Sequence, residues 1–169
     1  MIKLRWVEER DADVLFPLIY RSPVTEMLVW DGPESLGELR AGLRERAEQT
    51  RAGRLHAFTI VRAADDAPVG MIRIAPEKWN LSGDIGVWIG VQHQGRGYGT
   101  EAIRLLVERA FGELGLHRLE ARVFVGNVAS RRASSFSSSP KSSWTRCAVG
   151  VAPFTAQFLR SAAISRAFG

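Results

Sequence analysis

The sequence predicts an α/β fold, a mixed and mostly antiparallel sheet flanked by helices, and three features carry that expectation. Two strand-like runs, His56 to Val61 and Val69 to Ile74, are joined by Ala63-Ala64-Asp65-Asp66-Ala67-Pro68, whose turn formers suggest a hairpin. Apolar residues at Ile103, Leu106, Val107, Ala110, Phe111 and Leu114 fall at i, i+3, i+4, i+7, i+8 and i+11, the spacing of an amphipathic helix. Strand candidates lie on both sides of that helix, at Asp84 to Val91 and at Leu119 to Val125.

From the N-terminus, Ile2 to Val7 alternates as a half-buried strand does, and Asp11 or Asp13 can cap a short helix through Leu15, Leu18 and Ile19. Pro23, Gly32 and Pro33 punctuate a loop carrying Trp30 and Asp31, and Glu34 to Gln49 then reads as a charged, exposed helix. The order up to the hairpin is β-α-α-β-β. Asp84 to Val91 alternates β-branched residues with small or aromatic ones, and its glycines leave one side open to a close neighbour. Gly115 is placed to end the long helix in a left-handed cap.

Composition bounds the function. A chain of 169 residues, 46% hydrophobic and 24% charged, has the size and balance of one domain that can hold a core without metal or disulfide. Its single cysteine, Cys147, excludes an internal disulfide and a cysteine zinc cluster, and fits a reducing, cytoplasmic location. The start Met1 to Trp6 has no apolar core of a signal peptide, and no run of about 18 uncharged apolar residues exists to span a membrane. Lys and Arg outnumber Asp and Glu by 23 to 18. Because the cations are scattered and no zinc-finger or helix-turn-helix spacing accompanies them, the balance suits an anionic cofactor and no nucleic-acid partner is expected.

Acidic residues stop at Glu120, although seven Lys and Arg follow. After Arg132 the run 133–143 is Ser-rich and without period, which reads as a loop. Beyond it, Trp144 to Val151 and Pro153 to Ile164 hold enough apolar residues for a strand or short helix but show no clean pattern. Residues 1–132 therefore read as the domain core, and 133–169 as an atypical tail of the same domain.

Chemistry concentrates at Gln94-Gly95-Arg96-Gly97-Tyr98-Gly99-Thr100, between a strand end and a helix start. Three glycines at alternate positions let backbone N–H groups face outward, and the orphan amides, the helix dipole and Arg96 together suit a phosphate. The spacing G-x-G-x-G is not the dinucleotide fingerprint, and the Gly-Lys-Ser/Thr of a P-loop is absent. A plain linking turn stays open on the glycines alone.

The stretch Val91 to Ala102 resembles the acetyl-CoA signature of the GNAT N-acetyltransferase superfamily, Q/R-x-x-G-x-G/A, with Gln94, Gly97 and Gly99 in the defining places. Asp84 to Gly90, Phe111 to Glu120 and Asn127 to Arg132 are similar to the RimJ/RimL branch, whose members acetylate protein N-termini, polyamines or other amines. The resemblance implies a GNAT-like sheet with splayed central strands, and acetyl-CoA as co-substrate. Its pyrophosphate would lie on the amides of Gly95, Arg96, Gly97, Tyr98, Gly99 and Thr100. Its pantetheine arm would run beside the strand end Ile89, Gly90 and Val91, with the Val91 N–H facing the thioester carbonyl and Asn127 holding the arm. The acceptor would be a small-molecule amine or a protein N-terminus, and a homodimer is left open.

An amine is mostly protonated near neutral pH, so a base must act, directly or through a water. Asp84 and Glu120 are the candidates, each with the alternative of a simple ion pair to arginine. His93 and His117 titrate in range but read as exposed loop residues. Trp30, Trp79 and Trp88 can line an acceptor site or fill core. The family continues N-x-x-S-x-R-x-Y-E-K-x-G-F, with the tyrosine returning a proton to the departing thiolate, and here Ser134 stands at that tyrosine. A serine is a shorter and far weaker acid, although thiolate needs little help to leave. A CoA-binding protein of weak or absent turnover is therefore the alternative reading.

The last two strands of the family pattern are not spelled by the tail, which has either diverged or been read in another frame. The abrupt change near Arg132 motivates the second hypothesis. Sequencing the gene across codons 125 to 145 decides between the two: a family-like continuation in another frame would support the second, and an intact frame without one would remove it.

Overall fold

The computed structural model describes residues 1–77, 79–124, 126–128, 130 and 144–148. Its elements are β1 (Ile2–Trp6), α1 (Ala12–Ile19), α2 (Leu36–Arg51), β2 (His56–Arg62), β3 (Pro68–Glu77), β4 (Ser82–Ile89), α3 (Tyr98–Gly112), β5 (Arg118–Phe124) and β6 (Trp144–Ala148). The strands form one sheet in chain order, antiparallel throughout except for the parallel pair β4 and β5. The expected mixed, mostly antiparallel sheet is therefore present. The hairpin joins β2 to β3 through Asp66, which adopts φ 53°.

Alternation along β2 sorts the helices onto the two faces. Phe58 and Ile60 pack with Ile103, Leu106 and Ala110 of α3, whereas Ala57 joins Leu15, Leu39 and Leu43 of α1 and α2 on the other side. Buried on both faces, β2 is an almost continuous apolar run. The α3 periodicity buries Ala102, Ile103, Leu106, Val107 and Ala110, each large side chain contributing about 1.5–3 kcal/mol of transfer free energy. Gly115 takes φ 63°, and the Leu116 N–H returns to the Ala110 carbonyl at 3.0 Å, so the left-handed ending holds as the sequence indicated.

Three expectations need adjustment. Asp11 does not cap α1 with its side chain; it is 3% exposed and closes the preceding 3-10 turn, accepting from the Glu8 N–H at 3.0 Å. The same carboxylate accepts from the Thr59 hydroxyl of β2 at 2.6 Å and from Arg5 of β1. The helix expected to be exposed buries Leu39 and Leu43, because two leucines one turn apart suffice to seat it on α1. Asp84 to Val91 ends early: β4 stops at Ile89 and Val91–His93 forms a 3-10 turn.

Within the tail, Trp144–Ala148 forms β6, pairing antiparallel with β5. One strand segment is thus supplied by a region whose sequence shows no clean pattern. Residues 131–143 and 149–169 lie outside the described residues, Ser134 among them. Among the described residues no helix is long and apolar enough to cross a membrane.

Because Asp11 joins β1, β2 and the entry to α1, Asp11→Ala is expected to lower the unfolding free energy by about 1.5–3 kcal/mol, read from urea denaturation with an unchanged slope.

Candidate active site

The site begins where strand pairing ends. β4 and β5 are paired over Ser82–Ile85 and Arg118–Ala121, and no pairing extends beyond Ile85 and Ala121. Each strand runs on, held by its outer neighbour: Ile89 pairs with Gly70 of β3, and Phe124 with Trp144 of β6. The two strands therefore splay. Two cavities of about 410 and 530 Å³ open at the divergence and share Met27, Leu28, Val87, Trp88, Ile103, Asn127 and Ser130 in their walls.

At the first end, the Gly90 N–H bonds back to the Val69 carbonyl of β3 at 2.9 Å. Strand alternation then aims the peptide groups of Ile89 and Val87 toward the gap. The Ile89 carbonyl is met there by the Gln94 side-chain amide at 2.9 Å, a bond that ties the glycine loop to the end of β4. A side chain at Gly90 would crowd Leu18, whose Cβ would lie 3.2 Å from the added Cβ and would have to give way by a few tenths of an ångström. Val91 begins the turn, and its N–H has no acceptor among the described residues.

Gly95 and Gly97 adopt φ 73° and 77°, the region that favours glycine. A Cβ at either would meet nothing within 4 Å, so the backbone conformation, not crowding, demands glycine there. The first α3 bond runs from the Glu101 N–H to the Gly97 carbonyl at 3.0 Å, which leaves the N–H groups of Tyr98, Gly99 and Thr100 without intrahelical acceptors. No side chain caps this start. Together with the dipole and the exposed Arg96, these amides fit a diphosphate.

Opposite charges meet at the other end. Asp84 accepts from Arg73 Nη2 at 3.2 Å, and its second oxygen lies 3.6 Å from Arg122 Nε. Arg46 of α2 lines the same cavity with Trp30 and Trp88. Glu120 sits beside Asp84 in the parallel register but bonds Arg118 and lines neither cavity. Asn127 lines both; its carbonyl accepts from the Ser130 N–H at 2.9 Å, leaving its amide NH₂ group.

Trp79 is 84% exposed and lies away from the cavities, because it sits in the turn between β3 and β4. His93 is not the exposed loop residue expected: the 3-10 turn folds it into the cavity wall, with Nδ1 buried and unpartnered among the described residues. Burial, then Arg62 and Arg96, holds this imidazole below the ordinary histidine range. Arg46, Arg73 and Arg122 were not singled out by the sequence. For two of them the available signal was a charge on an otherwise largely buried row, Arg73 between Met71 and Ala75 and Arg46 following Leu39 and Leu43.

A splayed strand pair feeding a glycine-lined helix start defines an α/β domain with a cleft fit for an extended, phosphate-bearing ligand. Residues 2–135 match the family described as Acetyltransferase (GNAT) domain. The Probable N-acetyltransferase YjcK of Bacillus subtilis is 36% identical over 95 residues, 55% of this chain and 52% of that protein. The chain thus spans about half the length of that relative. RimL, a ribosomal-protein alpha-N-acetyltransferase solved in complex with coenzyme A, superposes with TM-score 0.72 at 20% identity, covering 82% of this chain and 81% of RimL. Spermidine N-acetyltransferase from Vibrio cholerae, in complex with CoA and spermine, gives 0.68 at 20% identity over 78% and 76%. The chain belongs to the GNAT acetyltransferase family, whose co-substrate is acetyl-CoA.

Gln94→Ala removes the tie from loop to strand and is expected to cost about 0.5–1.5 kcal/mol in denaturant unfolding. His93 and His56 are both held below the ordinary range, each first by burial. The unfolded chain then binds protons first, so stability is full above the unfolded value of about 6.5 and falls as the pH drops through it toward the folded values. Thermal midpoints measured across that range should decline on acidification, less steeply in His93→Asn.

Proposed function

We propose that this chain transfers the acetyl group of acetyl-CoA to a primary amine. The observation that carries the reading is the continuity of the unpaired end of β4 with the free amides that start α3. The N–H groups of Gly95 to Thr100 would receive the pyrophosphate. Ile89 and Val87 would pair with the pantetheine amides as a neighbouring strand does, and Asn127 would bond them through its NH₂ group. Gln94 acts one step back, holding the loop in place through Ile89.

The amine enters from the end lined by Asp84, Trp30 and Trp88. Asp84, oriented by Arg73 and Arg122, takes the proton that the ammonium must lose. The nitrogen lone pair then forms the C–N bond as the C–S bond breaks, that electron pair leaves on sulfur, and the second proton shed by the nitrogen balances the one the departing thiolate takes up to leave as free thiol. The Val91 N–H stabilises the negative charge that grows on the carbonyl oxygen. Of the two carboxylates, Asp84 is favoured over Glu120 because it alone lines the cavity. Ser134 stands at the position of the family's proton donor and would be the residue to test for that role.

A thiol-release assay with a panel of amines tests the reaction. Turnover on at least one is expected, and acetyl-CoA binding without release on any would instead mark a CoA-binding protein. Asp84→Asn should lower kcat by about 10²-fold or more, whereas Glu120→Gln should leave it within about twofold. Gly97→Val places a side chain at φ 77° among the amides and is expected to weaken acetyl-CoA binding at least about tenfold in calorimetry.

A further inference from the structure

The acceptor end of the cleft carries more positive charge than a polyamine site can use. Of the described charged residues lining the 410 Å³ cavity, Arg46, Arg73 and Arg122 are cationic and Asp84 is anionic. Asp84 is shared by Arg73 and Arg122. Arg46 has no carboxylate partner among the described residues. Its guanidinium stacks 5.9 Å from the Trp30 ring centre and does not form an ion pair.

Helix geometry delivers that guanidinium to the cavity. Leu39, Leu43 and Arg46 lie at i, i+4 and i+7, so Arg46 extends the buried face of α2 beyond its leucines. Gly42, one turn earlier, leaves the space that Arg46 occupies: a Cβ there would approach Nη1 to 2.9 Å. Burial, then the proximity of Arg73, holds the Arg46 guanidinium below its ordinary value, against the weaker opposing pull of Glu45. Such a fork, planar and partly desolvated, matches a carboxylate or phosphate through two parallel N–H bonds.

We infer that the acceptor is a primary amine bearing an anionic group, carboxylate or phosphate, and that Arg46 receives that group while Asp84 faces the amine. This rests on the acetyltransferase reading above and narrows its acceptor, setting it apart from the polyamine of the Vibrio cholerae neighbour. The anion can come from a small molecule or from an acidic side chain next to a peptide N-terminus. The two share one recognition chemistry.

Calorimetric binding to the full chain with saturating CoA, using matched probes, decides it. One arm compares β-alanine with its amide and aminoethyl phosphate with ethanolamine; the other compares tripeptide amides differing only in Glu for Gln beside the N-terminus. In at least one arm the anionic member is expected to bind about tenfold tighter, a preference that shrinks as salt rises. The responding arm identifies the source. Arg46→Gln should bring the ratio close to one, and Arg46→Lys should keep part of it, with thermal melts confirming that both fold. Equal binding within every pair, spermidine binding tighter than any anionic probe, or a ratio unmoved by Arg46→Gln would overturn the inference. These are binding measurements, so failure to release thiol on any amine would count against the reaction and not against the anion preference.

Discussion

Everything in the cleft follows from the short pairing between β4 and β5. Four residues on each strand share a ladder, and beyond it two stretches of backbone diverge, each bound on its far side only. Exposed strand groups need partners from somewhere, and a narrow gap between two strands offers them best to an extended chain of amides. The sheet thus leaves a vacancy in its own hydrogen-bond pattern, bounded by β3 on one side and β6 on the other.

The glycine loop continues the same logic at a change of element. β4 ends, the Gly90 N–H is spent on β3, and the chain turns twice through left-handed glycines before α3 begins uncapped. A side chain at position 97 could cap one of the free amides only from an extended backbone, which the left-handed φ of 77° there denies it. Glycine leaves the first turn of the helix open to an external anion. Gln94 holds this arrangement without consuming any of those amides, since its bond is to a carbonyl.

Much of this was legible in the sequence, for identifiable reasons. The α3 periodicity, the hairpin, the left-handed Gly115 and the glycine loop each have a local cause, and local causes show in a linear reading. What escaped was set by tertiary neighbours. Asp11 resembles a helix cap, yet its partners are Arg5 and Thr59, the latter 48 positions away. His93 looked exposed until the turn after β4 folded it inward. The basic end of the cleft is drawn from α2, β3 and β5, three elements no window spans, so its arginines looked like surface charge. β6 pairs antiparallel with β5 although its sequence has no clean pattern, because strand pairing is made by backbone groups, which a side-chain pattern does not report.

The pairing of β6 with β5 also sets when the outer side of β5 is covered during synthesis. β5 leaves the ribosome with its inner side only half engaged, and its outer side waits for Trp144–Ala148, some twenty residues later. Until those residues emerge, the nascent domain presents a bare sticky margin of the kind that recruits chaperones or neighbouring chains. A ribosome that stalls or terminates in the serine-rich stretch would release a species with most of its core formed and one wall of its cleft unsupported.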